Sequence, residues 1–404
     1  MFKFFPGLSK GFNGLSFRLK SLIILSLAFF WACSDDSPEP GNLANLRPLT
    51  GEETYLIDVS NRQAFSILNQ IDKIQSTGNF AVSPISSGMA IGMLYNGASE
   101  ETKLTLHQKL DLTQLDEIMI NKTFYGLGHF LKQVDYRQEL TLSNSIWFNY
   151  QSPLNELYRN KMMAYYQADV EPVDLDKTPV KMINKLISNR TDGHIDQLFD
   201  DLETSKSLIL VNALHFDGKP DLNLRHIKFQ SRNKSLSDSV EMLVDENAIF
   251  NLYESNGFRL IDFPYQNKQF RLSLLQPTTN LRDWIKNLNI DQYQSWLKLS
   301  DTIKNRLILP QITFENSIQI DPVILEPQAS FPHIFGNQPG LNPDRPDLFQ
   351  KNLLAINSES QMQITGSEFF TPMDSDIVLD SPFVFVLREI HTGIILMCGI
   401  YNFE

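Results

Sequence analysis

The chain has 404 residues, 42% of them hydrophobic and 20% charged, enough to bury a sizeable core in one large domain or two ordinary ones. Its formal net charge is −12, and the first 32 residues hold four cations and no acid, so the remainder is more acidic still. Such a balance argues against a protein that grips phosphate backbones, and no nucleic-acid partner is expected.

Residues 1–32 read as a targeting segment. Lys3, Lys10, Arg18 and Lys20 precede an apolar run, Leu22–Trp31, that is too short to span a bilayer as a mature helix. Cys33 follows Ala32, an order similar to a bacterial lipoprotein cleavage site, with Cys33 as the lipid attachment residue. The alternative is an ordinary signal peptide followed by an incidental cysteine. Ser34-Asp35-Asp36 resembles the surface-export tag of Bacteroidota lipoproteins, so the expected location is the outer membrane, facing outwards, or else the extracellular space. Residues 33–50, with Pro38, Pro40, Gly41 and Pro48, read as the lipidated cysteine and an extended tether. A single domain is expected over residues 51–404. Cys33 and Cys398 are the only cysteines, which leaves no pair for a disulfide or a zinc site once Cys33 is lipidated.

Phe65, Leu68 and Ile71 recur at helical spacing within Val59–Ile74. Asn79–Thr102 follows as the organising stretch. Ser83-Pro84 is a helix start, a hydroxyl acceptor followed by a ring already set for the first turn. Ile85, Met89, Ile91, Met93 and Leu94 make this helix apolar, while Ser86, Ser87, Gly88, Ala90 and Gly92 make it thin enough for close backbone approach. Asn96-Gly97 reads as a left-handed stop. Leu104–Leu131 is a mixed helical region, and Leu140–Tyr150 alternates as a strand does. A further helical stretch ends at Asp192-Gly193. Leu208–Gly218 is a continuous apolar run, the mark of a central strand covered on both faces. Val240–Leu243, Leu260–Tyr265, Phe270–Pro277 and Leu307–Phe314 read as strands, and Ser381–Leu387 with Thr392–Gly399 as a closing hairpin.

Several of these segments together resemble the serpin family. Asn79-Phe80, Ser83-Pro84, Ser86, Gly97-Ala98 and Thr102 are similar to the family's second helix, which underlies its shutter. Val211-Asn212-Ala213, Phe216 and Gly218 match its central strand, although Pro220 stands where the family has Trp. Ile183-Asn184-Lys185, Thr191-Asp192-Gly193-His194-Ile195 and Phe263-Pro264-Tyr265 follow in family order. So does the final hairpin, with Ile400 where the family has Arg. The resemblance covers Val59–Glu404. It implies a serpin-like α+β fold: a large mixed central sheet, a barrel-like second sheet and about eight or nine helices.

No enzyme is legible. Gly7-Leu8-Ser9-Lys10-Gly11 has the form of a nucleophile motif, but it lies in the leader with no strand before it. Zinc-protease, phosphate-loop and dinucleotide motifs do not occur. The seven histidines are scattered singly. No catalytic residue, metal or cofactor is expected.

The resemblance implies instead a monomeric inhibitor of a serine or cysteine protease. In that mechanism a protease cleaves an exposed loop, the loop enters the main sheet as a new strand, and the acylated enzyme is carried away. The shutter implied by the resemblance is Ser83, Ser86, Asn212 and Gln361. The loop strand is expected at Gln361–Ser367, and candidates for the reactive loop and its scissile position are Glu368, Phe369, Phe370, Thr371, Pro372 and Met373; a scissile Phe369 or Phe370, or else Met373, suits a chymotrypsin-like target. The loop is short. Twelve residues, Phe369–Asp380, separate Glu368 from Ser381, and they reach at most about 40 Å. It also lacks the alanine-rich run of family inhibitors, and Pro372 cannot donate to a strand ladder. A second reading therefore stands beside the first: a non-inhibitory serpin-fold lipoprotein that acts as a binding surface.

Overall fold

The computed structural model describes residues 46–74, 78–135, 140–174, 180–190, 193, 197, 208–229, 240–255, 257–320, 325–335, 346–356, 369–370, 373 and 375–403. Among them are eight helices and two sheets. The helices are α1 (Gly51–Ile74), α2 (Pro84–Tyr95), α3 (Glu100–Lys109), α4 (Glu117–Val134), α5 (Glu156–Tyr166), α6 (Val180–Arg190), α7 (Leu281–Ile285) and α8 (Ile290–Leu299).

A five-stranded mixed sheet has the order β10 (Ile312–Gln319), β11 (Asp347–Ile356), β4 (Leu208–Phe216), β2 (Leu140–Asn149), β3 (Asp169–Val173). β11 runs parallel to β4, and β2 parallel to β3; the other pairs are antiparallel. A ten-stranded sheet follows the path β1 (Phe80–Val82), β15 (Ile395–Tyr401), β14 (Phe383–Glu389), β8 (Phe270–Pro277), β7 (Phe258–Pro264), β6 (Val240–Ser255), β5 (Arg225–Phe229), β12 (Phe369–Phe370). The long β6 also pairs with β9 (Asp301–Pro310), which carries β13 (Ile377–Val378) on its other side.

α1 begins eight residues before the apolar periodicity does. Thr50 and Glu53 form a reciprocal cap: the Glu53 N–H donates to Thr50 Oγ1 (3.2 Å) and the Thr50 N–H to Glu53 Oε2 (2.9 Å). The Thr-x-x-Glu spacing was present in the sequence, but Gly51 beside it reads as a break. α2 is buried on every side, with only Gly88 partly exposed. A Cβ on Gly92 would lie 2.5 Å from the Tyr166 hydroxyl and 2.9 Å from the Phe124 ring, so the thin face serves close packing against α4 and α5. The expected left-handed stop is absent. Asn96 is right-handed helical at φ −64°, and its side-chain amide donates to Gly92 O (2.8 Å). Gly97 is required for space: a Cβ there would meet Ile334 at 2.2 Å. Gly193 does take φ +80°, and its N–H donates to Ser188 O (2.8 Å) beyond the end of α6.

The single strand expected over Leu307–Phe314 is two strands in two sheets. The chain leaves β9 at Pro310 and enters β10 at Ile312, because burial continues through both while the partners change from β6 to β11.

Candidate functional site

The end of β1 and the start of α2 pack beneath β11 and β4. Ser83 caps α2 by accepting from the Ser86 N–H (3.3 Å). Its own backbone is tied to β11: the Ser83 N–H donates to Gln350 Oε1 (2.9 Å), and Gln350 Nε2 donates to Ser83 O (2.8 Å) and Ser87 Oγ (3.2 Å). Asn352, two residues along on the same face, donates to Ala81 O (2.8 Å) and Gln350 Oε1 (3.2 Å). Gln350 and Asn352 have no side-chain exposure.

Across the sheet, Gln350 stands in register with Asn212 of β4, and Asn212 with Asn144 of β2. Asn212 donates to Asn144 Oδ1, and Asn144 donates onward to Tyr166 O (2.8 Å). The Tyr166 hydroxyl donates to Asn121 Oδ1 (2.7 Å), and burial pushes its pKa well above the ordinary phenol value. A polar seam therefore crosses three neighbouring strands inside an apolar core. It is incompletely satisfied: Ser86 Oγ, Asn212 Oδ1 and Asn352 Oδ1 are buried with no hydrogen-bond partner among the described residues.

The structure places Ser83 and Ser86 at the start of α2 and Asn212 on β4, in register with Gln350 of β11. Gln350, which ties Ser83 and Ser87 to β11, is a residue the sequence reading passed over. Gln361, assigned to the shutter, lies outside the described residues, as do Glu368, Thr371, Pro372 and Cys33. A signal for Gln350 did exist. Counted along β11, Gln350 and Asn352 are alternate polar residues on one face of the strand, beside the apolar Leu353 and Leu354.

The loop-bearing end lies at the ten-stranded sheet. Phe369 and Phe370, expected in an exposed loop, have backbones paired in parallel with Lys228 and Phe229 of β5. Ile377 and Val378 pair with Leu307 and Ile308 of β9 at the opposite edge. Between them Met373 is 60% exposed. Met373 and Asp376 are tied by two hydrogen bonds: the Asp376 N–H donates to Met373 O (3.2 Å), and the Met373 N–H donates to Asp376 Oδ2 (2.7 Å). Arg306 of β9 holds the Asp376 carboxylate through Nη1 (3.3 and 3.4 Å) and also pairs with Glu246, which pairs with Arg225. Donating to Glu246 and, against the opposing effect of burial, to Asp376 holds the Arg306 guanidinium above its ordinary value. Glu246 is pushed up by partial burial but pulled further down by Arg306 and Arg225. Asn305 Nδ2 adds a bond to Ser375 O (2.8 Å).

A family model described as Serpin (serine protease inhibitor) matches residues 58–402. The chain is a serpin. Rabbit corticosteroid-binding globulin is 32% identical over 292 residues, covering 70% of this chain and 75% of the relative. Human plasma serine protease inhibitor is 24% identical, covering 64% of this serpin and 66% of the relative. Among solved structures, the mouse protein Z-dependent protease inhibitor superposes with a TM-score of 0.74 at 18% identity, covering 86% of this chain and 98% of that one. Human thyroxine-binding globulin with its ligand gives 0.73 at 17%, covering 87% and 98%. At those identities the likeness speaks for the fold alone. The serpin family thus accounts for the two-sheet body, and its members named here include both inhibitors and carriers.

Proposed function

We propose that this serpin inhibits a protease, and that the segment between β11 and β13, once cleaved, enters the five-stranded sheet between β11 and β4. One observation carries the reading. β11 and β4 are direct neighbours and parallel, in register from Asp347/Ile209 to Leu354/Phe216. A strand entering between two parallel neighbours runs antiparallel to both and exchanges one parallel ladder for two antiparallel ones, which are the more stable per residue. The chain supplies that strand in cis. Twelve residues, 357–368, follow Ile356 before β12 and reach about 40 Å, whereas the ten residues of β11 span about 33 Å.

The test is to mix the purified protein with chymotrypsin-, elastase- and subtilisin-like proteases. An adduct stable to SDS is expected with at least one of them, and the cleaved protein melts far above the intact one. Cleavage with neither outcome rejects the reading for those enzymes.

A second reading, a serpin-fold binding protein, is favoured by the segment itself. No alanine occurs after Ala355, and the Phe369–Phe370 backbone is already occupied by β5. The rabbit relative is named for binding corticosteroids. For either reading the protein works as a monomer held to the outer membrane by lipid on Cys33. The order of basic residues, apolar run and cysteine supports this. Cys33→Ser then moves the protein from the membrane to the soluble fraction, and unchanged membrane association counts against anchoring there.

A further inference from the structure

Resting on the inhibitory reading, we infer that Met373 is the residue whose carbonyl the target protease attacks, and that Asp376 is a positioning residue that keeps Met373 folded away until the protease opens it. Serine proteases bind a substrate strand extended. The carbonyl at the cut points into donors that stabilise the oxyanion, and the neighbouring backbone pairs with the enzyme. In this chain both backbone groups of Met373 are engaged by one residue. Its N–H donates to the Asp376 carboxylate (2.7 Å), and its carbonyl accepts from the Asp376 N–H (3.2 Å). The side chain, 60% exposed, is nevertheless free to enter an apolar pocket. The pair is fixed from below. Arg306 holds the Asp376 carboxylate, Asn305 holds Ser375 O, and β13 joins β9 directly after.

Phe369 and Phe370 are the competing aromatic candidates. Their backbones are paired along β5, so an enzyme would have to strip an edge strand to reach them. Reaching Met373 takes only the breaking of its two hydrogen bonds to Asp376. The side chain is unbranched and apolar, which fits enzymes with a deep apolar specificity pocket, of the chymotrypsin or subtilisin type. In the step itself the enzyme's serine hydroxyl adds to the Met373 carbonyl and the Met373–Asp374 C–N bond breaks. The serine proton goes to the new amino group of Asp374, which leaves Met373 as an acyl ester.

The experiment maps the cut by N-terminal sequencing of the C-terminal fragment from chymotrypsin and subtilisin digests of the intact protein, and measures cleavage rates for three forms. The wild type is expected to be cut before Asp374. Asp376→Ala removes the side-chain acceptor and is cut about tenfold faster at the same bond. Asp376→Asn keeps an acceptor for the Met373 N–H and stays near the wild-type rate, which separates the Met373–Asp376 bond from mere stabilisation of β13. Hydrogen exchange on the wild type gives a check that needs no variant: the Met373 amide exchanges slowly, and an unprotected amide overturns the folded-away Met373. An adduct formed by cleavage after Phe369 or Phe370 overturns Met373 while leaving the inhibitory reading intact. Cleavage before Asp374 without an adduct does the reverse. Equal rates for all three forms overturn the role of Asp376.

Discussion

Gln350 and Ser83 lie 267 residues apart, yet they meet through two hydrogen bonds of 2.9 and 2.8 Å. The amide of one side chain thereby satisfies both backbone groups of the residue that starts α2. A third bond, from Gln350 Nε2 to Ser87 Oγ (3.2 Å), ties β11 to the first turn of α2 as well.

Gln350→Ala takes away the acceptor of the buried Ser83 N–H. An unpaired buried donor costs about 1–3 kcal/mol, so the intact protein melts several degrees lower. Differential scanning calorimetry measures this. An unchanged melting temperature would show that the tie carries no stability.

Ser83 and Ser86 part company when each becomes alanine. Ser83 Oγ caps α2, and its loss costs about 1 kcal/mol. Ser86 Oγ is buried with no partner among the described residues, so Ser86→Ala relieves an unmet desolvation and improves helix propensity, with a gain of about 0.5–1 kcal/mol. Denaturant unfolding of the two variants should shift in opposite directions; a shift in the same direction contradicts the orphaned hydroxyl.

Gly399 of β15 runs between β1 and β14. A Cβ there would sit 2.1 Å from Phe80 O and 2.4 Å from the Phe385 ring. Backbone cannot yield as a flexible side chain does, so Gly399→Ala costs about 3 kcal/mol or loses the fold. Soluble yield and melting temperature read this out, and a wild-type melt would mean that β1 shifts freely.

Glu53 supplies the pH dependence. Partial burial pushes its carboxyl up, but hydrogen bonds from Arg47 and the Thr50 N–H, with the Arg47 charge, bring it below the ordinary carboxylate value. A depressed folded-state pKa contributes stability above the unfolded value, and that contribution is lost as pH falls through the folded one. Glu53→Gln therefore lowers the melting temperature at neutral pH, and the gap from wild type narrows as acid protonates Glu53. A gap constant across that range would remove the Arg47–Glu53 pair as its cause.

The elements with a strong local pattern were legible. The closing hairpin and β8 are where their apolar runs put them; nearly every residue of the three strands is buried, so both faces are covered and the local hydrophobicity alone marks them. Ser83 was legible as a helix cap from the Ser-Pro pair, whereas Asn212 was singled out only through the resemblance to the family. The identity of their partners was not legible. The division of 301–319 into β9 and β10 depends on which strands lie alongside, and no local pattern encodes that.

From its sequence this chain is an apolar-cored, acidic protein with a thin Ser-Pro-capped helix, a central covered strand and a closing hairpin, since each follows from composition and spacing within a few residues. Only the tertiary structure decided that Gln350 bonds to Ser83, that Gly97 serves space rather than a left-handed turn, and that Met373 is bound by Asp376. Those are contacts between groups that share a place only after two sheets have closed around them, and hydrogen bonds and van der Waals contacts act over a few ångströms regardless of distance along the chain.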